Sequence, residues 1–202
     1  PRLQAMLAAR AMEAGDLARA MEHVDAAECL RPDDALAPAA WRVLAHCMSG
    51  APVPAELVDR IGMVDPGRIS LPAMKAIELV STRAEAGECK GLDRGQLATA
   101  FANVVGRSAA APTDHGAWRT NYHRARLLAA ESRWPEAIEA AEMAWKDSGY
   151  NNGVGVLAFQ LHASNGDKAG ARRVLEQLRA TADPGDLALA GALAQFQQFV
   201  DS

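Results

Sequence analysis

Four pairs of residues in the second half of the chain stand 34 positions apart and occupy equivalent places in a helical pattern: Ala125 and Phe159, Ala137 and Ala171, Ala141 and Leu175, Ala144 and Leu178. In each set an amphipathic helix leads into a turn, and small or apolar residues then recur on one face of a second helix. Ser132-Arg133-Trp134-Pro135 makes the first turn, and Gly166-Asp167 makes the second. A constant offset means that one supersecondary unit is used twice. A unit that cannot bury its apolar face alone has to stack on a copy of itself. Helical hairpins in succession are therefore the expected architecture.

The start of the chain carries the same pattern. Leu7, Ala8 and Ala11 share a helix face, Gly15-Asp16-Leu17 turns, and Ala20, Val24, Ala27 and Leu30 face back before Pro32 stops the second helix. The step from Gly15 to Ala20 equals that from Gly166 to Ala171. Glycine supplies the positive φ that ends a helix, and alanine lets two helices cross closely. On these residues the chain resembles the tetratricopeptide repeat family. Leu7, Ala8, Gly15, Ala20, Ala27 and Pro32 match its signature, while Gln4 stands where a large aromatic is expected. The resemblance is good over residues 1–34 and 118–183 and weak between. It implies an all-α, right-handed α/α superhelical solenoid of about 11 helices, with a groove lined by the first helix of each hairpin.

Between the well-matched parts, residues 35–112 keep helix-turn-helix logic without the strict period. Asp33-Asp34 is a candidate cap for a helix to about Met48, and Ser49-Gly50-Ala51-Pro52 breaks it. A short helix follows from Pro54 to Ile61, ended by Asp65-Pro66-Gly67. Ser70 caps a helix from Leu71 to Ala86, and Asp93 caps the next, through Val105. A longer connection runs from Gly106 to His115. Two hairpins resembling tetratricopeptide repeats then occupy 113–183. Over 184–202, Asp183-Pro184-Gly185-Asp186 opens a last helix suited to cover the open end of one continuous array.

Charge narrows the function classes. Lys plus Arg number 21 against 25 Asp plus Glu, and the imbalance is spread evenly over the two halves. Non-specific binding to nucleic acid by a basic domain is disfavoured. No apolar run reaches the roughly 18 residues of a membrane span, and nothing at Pro1 reads as a signal segment. Cys29, Cys47 and Cys89 have no metal-ligand spacing. Buried free thiols are the expectation, and a Cys47–Cys89 disulfide is the alternative for an oxidising compartment.

Gly153-Val154-Gly155 superficially resembles a dinucleotide loop, but no strand precedes it, so no nucleotide, other cofactor or metal is expected. No nucleophile elbow or paired-carboxylate frame is evident, and the chain reads as a non-enzyme. The most chemically loaded stretch is Trp118-Arg119-Thr120-Asn121-Tyr122-His123-Arg124-Ala125-Arg126. The resemblance places Arg42, His46, Arg119, Tyr122, His123, Arg126 and Gln160 on groove helices. There an arginine fork beside an aromatic face suits a carboxylate next to an apolar side chain. A protonated His123 would strengthen such binding near pH 6 relative to pH 8. The competing reading of the stretch is a solvated helix face with Trp118 and Tyr122 partly in the core. The family's lysine-and-asparagine clamp for a terminal carboxylate has no counterpart among Ala5, Ala9, Gly153, Val156 and Gln160.

The leading functional expectation is a scaffold that presents its groove to a protein or peptide partner, an acidic one suiting the basic middle of the groove. The alternative is a soluble domain of a bacterial membrane enzyme that builds or transfers surface glycans, in keeping with the Ala- and Arg-rich composition. Ala137→Leu and Ala171→Leu should each lower stability by about 1–3 kcal/mol, because overpacking a close crossing forces the helices apart. Urea denaturation checks this, and an unchanged midpoint would put both alanines on the surface.

Overall fold

Apolar residues repeat at helical spacing through almost every segment, and the structure follows that period. A computed structural model describes residues 2–30, 35–64, 69–107, 115–182 and 187–202. Among these there are eleven α-helices and no strand. They are α1 (Arg2–Glu13), α2 (Leu17–Leu30), α3 (Leu36–Ser49), α4 (Ala55–Met63), α5 (Leu71–Glu85), α6 (Arg94–Arg107), α7 (His115–Ala130), α8 (Trp134–Asp147), α9 (Asn152–Ser164), α10 (Lys168–Thr181) and α11 (Leu187–Asp201). The expected stops and caps at Pro32, Asp33-Asp34, Asp65-Pro66-Gly67 and Asp183–Asp186, and most of the Gly106–His115 connection, lie outside the described residues.

Five of the eleven described helices end in one local design. The residue after the last helical turn adopts a left-handed conformation, at Gly15, Gly87, Gly149 and Gly166, and also at Ser132 with φ 58°. Its N–H bonds the carbonyl three residues back, and the next N–H reaches five back, as in Gly166 to Ala163 and Asp167 to His162. These bonds satisfy the orphan carbonyls of a helix end and reverse the chain within a few residues. The helix that follows is capped where the sequence allows. Ser70 accepts from Ala73 N, Asp93 from Gln96 N, Asn151 from Gly153 N and Asp167 from Gly170 N.

Short turns make sequence neighbours pack: α1 on α2, α7 on α8 and α9 on α10, with α8 also on α9. In the middle of the chain the contacts skip one helix, so α3 lies against α5, α5 against α7 and α4 against α6. The alanines of the repeated pattern sit at these crossings. Ala125, Ala137, Ala141, Ala144, Ala171 and Leu178 are fully buried, and Phe159 and Leu175 nearly so. Buried residues from Ala8 to Val200 form one continuous core. At its C-terminal end α11 docks through aromatics, with Phe196 stacked on Phe159 at 3.8 Å between ring centres and Phe199 edge-on.

The glycine pair that mimics a dinucleotide loop lies inside α9. Gly155 is buried against α8 and α10, where a Cβ would stand 2.7 Å from the Trp145 ring and 2.6 Å from Leu178. Close packing explains the glycine.

The thiol expectation is corrected. Cys47, in the last turn of α3, and Cys89, after α5, form a disulfide and are both buried, while Cys29 is exposed. The two cysteines are 42 residues apart, and only the packing of α3 on α5 brings their Cα atoms to 4.3 Å. The same junction carries a backbone bond from Val53 N to Lys90 O. Closing a loop of this length restricts the unfolded chain, so Cys47→Ala with Cys89→Ala should cost about 2–4 kcal/mol. Thiol titration of the unfolded, unreduced chain should count one free thiol, and three would overturn the pairing.

Candidate functional site

α7 carries the basic stretch, and its pairing with α5 decides what each residue there can do. The start of α7 approaches the segment leading into α5 closely, and a Cβ on Gly116 would meet the Cβ of Ile69 at 2.6 Å. Above that contact is a pocket of about 230 Å³ lined by Leu71, Met74, Lys75, Ile77 and Glu78 of α5 and by Arg119, Thr120 and His123 of α7. Ile77 forms a buried apolar floor, and Leu71 is largely exposed at the rim. Thr120 is buried and donates its hydroxyl to Gly116 O at 2.8 Å. Lys75 is 3.6 Å from Glu78 on its own helix. The Arg119 guanidinium lies over the Trp118 ring at 5.2 Å and has no carboxylate partner among the described residues.

Arg126, two turns further along α7, is differently placed. It forms an ion pair with Glu85 of α5 at 2.5 Å and lies over Tyr122 at 5.7 Å from the ring centre. Glu85 is largely shielded, and desolvation raises its pKa even though Arg126 pulls the other way. Arg126 therefore compensates an internal acid, and removing it would strand a half-buried carboxylate.

His123 corrects the expectation of a charged groove residue. Burial first, then repulsion from Arg126 and Arg119, lowers its pKa to about 4. The ring is 8% exposed, stands edge-on to Tyr122, and its Nδ1 has no partner among the described residues. It is neutral at both pH 6 and pH 8, so it gives no strengthening of anion binding between them.

The remaining expected site residues fall elsewhere. Arg42 of α3 pairs with Asp25 and Glu28 of α2, each at 2.7 Å, and Glu28 also reaches Arg60 of α4. Burial opposes the Arg42 charge, but its bonds to Glu28 and Asp25 prevail and raise its pKa. His46 donates from Nδ1 to Pro52 O, 2.8 Å away, and so ties the end of α3 to the following loop. Arg42 and His46 edge a separate apolar hollow of about 580 Å³ between α2, α3 and α4. Gln160 is exposed on α9 and lines neither pocket. The seven residues thus do not form one site: Arg119 and His123 share the pocket between α5 and α7, Arg42 and His46 share the hollow, and Tyr122, Arg126 and Gln160 line neither.

Lys75, Glu78 and Met74 complete that pocket and were not singled out from the sequence. Their only local signal is an ordinary amphipathic helix, because the partnership of α5 with α7 is non-local. Another polar cluster, also unanticipated, braces the C-terminal hairpins. Buried His162 of α9 lies 2.7 Å from Asp167 and 2.9 Å from Glu142 of α8, and Glu142 also engages Arg173 of α10. The Gly170 N–H and His162 hold the Asp167 pKa down. No grouping of three His, Cys, Asp or Glu able to hold a metal occurs among the described residues. No helix there is long and apolar enough to cross a membrane.

Comparison with family models, with curated proteins and with solved structures finds no match to the chain.

The lowered pKa of His123 has a thermodynamic consequence. Above pH 6.5 the ring is neutral in both folded and unfolded chains; below it the unfolded chain takes up a proton that the folded chain refuses until about pH 4. Stability is therefore lost as pH falls through that window, by about 2–3 kcal/mol at pH 4.5. Denaturation of wild type and His123→Asn at both ends of the window isolates this contribution, since other groups titrate in both proteins. Equal pH slopes for the two would show that His123 titrates normally.

Proposed function

We propose that the chain is a non-catalytic α/α solenoid of tetratricopeptide type that engages a segment of a partner protein along its stacked helices. The observation that carries this reading is that residues 34 positions apart share their burial and their turn hydrogen bonds. Ala137 and Ala171, Ala141 and Leu175, and Ala144 and Leu178 are each buried at a hairpin crossing. The turns at Ser132 and Gly166 repeat at the same offset with the same two backbone bonds, to Ala129 and Leu128 and to Ala163 and His162. Repeats of this kind build extended surfaces suited to binding. The pocket between α5 and α7, with an arginine that has no ion pair among the described residues, is the most chemically specific feature on the helices assigned to the groove.

A second reading places this domain on a membrane enzyme of surface-glycan assembly. One observation favours its compartment: the Cys47–Cys89 disulfide is of a kind that persists under oxidising conditions.

The interaction reading is tested with a photo-crosslinking amino acid placed singly at Arg119 and Gln160, and at Glu139 and Lys146 of α8 as controls, in the source cell. Discrete adducts to one partner from Arg119 and Gln160, absent from the α8 positions, are the expected result. Equal labelling from all four positions, or none from the first two, would overturn it.

A further inference from the structure

Resting on that interaction reading, we propose that the pocket between α5 and α7 receives the side-chain carboxylate of a glutamate, next to an apolar residue, within an extended segment of the partner. Charge sets the first limit. Arg126 is engaged by Glu85 and Lys75 stands beside Glu78, which leaves Arg119 as the one of these three cations with no ion pair among the described residues, Glu78 on the same lining being held by Lys75. His123 adds a neutral surface. One uncommitted guanidinium offers a planar fork for one carboxylate. A phosphomonoester fits less well. Desolvation cost grows with the square of the charge while attraction to one cation grows linearly, and Glu78 stands on the same lining.

Hydrogen bonding sets the second limit. The Thr120 hydroxyl is donated to Gly116 O, and the α5 side of the pocket is Leu71, Met74, Ile77 and the Lys75–Glu78 pair. A peptide unit carried inside would find few partners and would lose its water bonds. The ligand backbone must stay in solvent while a side chain reaches in. That excludes a chain-terminal carboxylate, which brings its own peptide unit with it, and favours glutamate over the shorter aspartate. The apolar neighbour has a place to rest on Leu71, which is 73% exposed.

The test uses the full chain and four blocked dipeptide probes: N-acetyl-Leu-Glu-amide, N-acetyl-Leu-Gln-amide, N-acetyl-Leu-phosphoserine-amide, and N-acetyl-Leu-Gln with a free terminus. Nuclear magnetic resonance follows the Arg119 Nε–H signal and the His123 ring signals. The glutamate probe should shift both saturably, with Kd in the range of about 1–10 mM expected for a ligand of this size. The glutamine amide and the free-terminus probe should bind at least about tenfold more weakly, the scale of a charge-assisted hydrogen bond. The phosphoserine probe should be weaker by about fivefold. Arg119→Gln, an exposed change, should abolish the glutamate shifts, and Glu78→Gln should erase the preference for carboxylate over phosphate.

Phosphoserine or free-terminus probes that match the glutamate probe would overturn the proposal. So would shifts that persist in Arg119→Gln, or no saturable shift at all. Partner crosslinks from Arg119 without any probe response would remove this pocket chemistry and leave the interaction reading standing, whereas missing crosslinks remove that reading itself.

Discussion

The close crossing of helices at alanine is the contact on which the rest of this molecule depends. A dozen alanines, among them Ala8, Ala20, Ala76, Ala125, Ala137, Ala141, Ala144, Ala158 and Ala171, have no exposed surface. Each contributes little apolar area alone. Each lets two backbones approach, and so brings the longer side chains around it, such as Trp41, Phe101, Leu127 and Leu178, into dense contact. With few aromatics in the chain, this gain from proximity replaces the gain from large side chains. Trp145 and Gly155 show the limiting case, where even a methyl group on the partner helix would collide with the ring.

Such proximity also determines which charges are free. Helices in close contact bring their flanking arginines within reach of acids on the neighbouring helix, as for Arg42 with Asp25 and Glu28, Arg126 with Glu85, and Arg94 with Glu131. The exposed pairs add little to stability. The partly shielded ones are structural: Arg126 neutralises Glu85, an acid drawn out of water, while Asp25 and Glu28 neutralise Arg42, which is itself the shielded partner. What remains available for a ligand is a remainder after that internal pairing. Arg119 belongs to it, since the α5 surface beside it presents Leu71, Met74 and Ile77 with a Glu78 that is paired to Lys75, where Arg126 meets Glu85 directly.

The disulfide has a comparable place in the middle of the chain, where the strict repeat is lost. There the helices pack with next-but-one partners, and the junction between the end of α3 and the loop after α5 is held by one covalent bond and one backbone hydrogen bond. α4 is short, spanning Ala55–Met63. A junction with so little helix behind it gains from a bond whose effect is exerted on the unfolded chain and does not require additional core.

The sequence by itself determined the helices, their turns and the faces they bury, because those follow from local spacing. An alanine at position 137 or 171, a glycine at 15 or 166 and an aspartate at 93 or 167 act on residues within one or two turns of the chain. The pairing of α5 with α7, the meeting of Cys47 with Cys89 and the protonation state of His123 were decided only by the tertiary structure. His123 reads from the sequence as one more basic residue in a basic helix. Its neutrality arises from burial against α5 and from two arginines that repel its proton across space. Arg119 and Arg126 look interchangeable in the sequence, and one is a structural ion pair while the other has no ion pair among the described residues, because only Arg126 meets Glu85. Chemistry at a site depends on which group stands opposite, and in a stack of helices that group is supplied by a residue some forty positions away, beyond the reach of any local pattern.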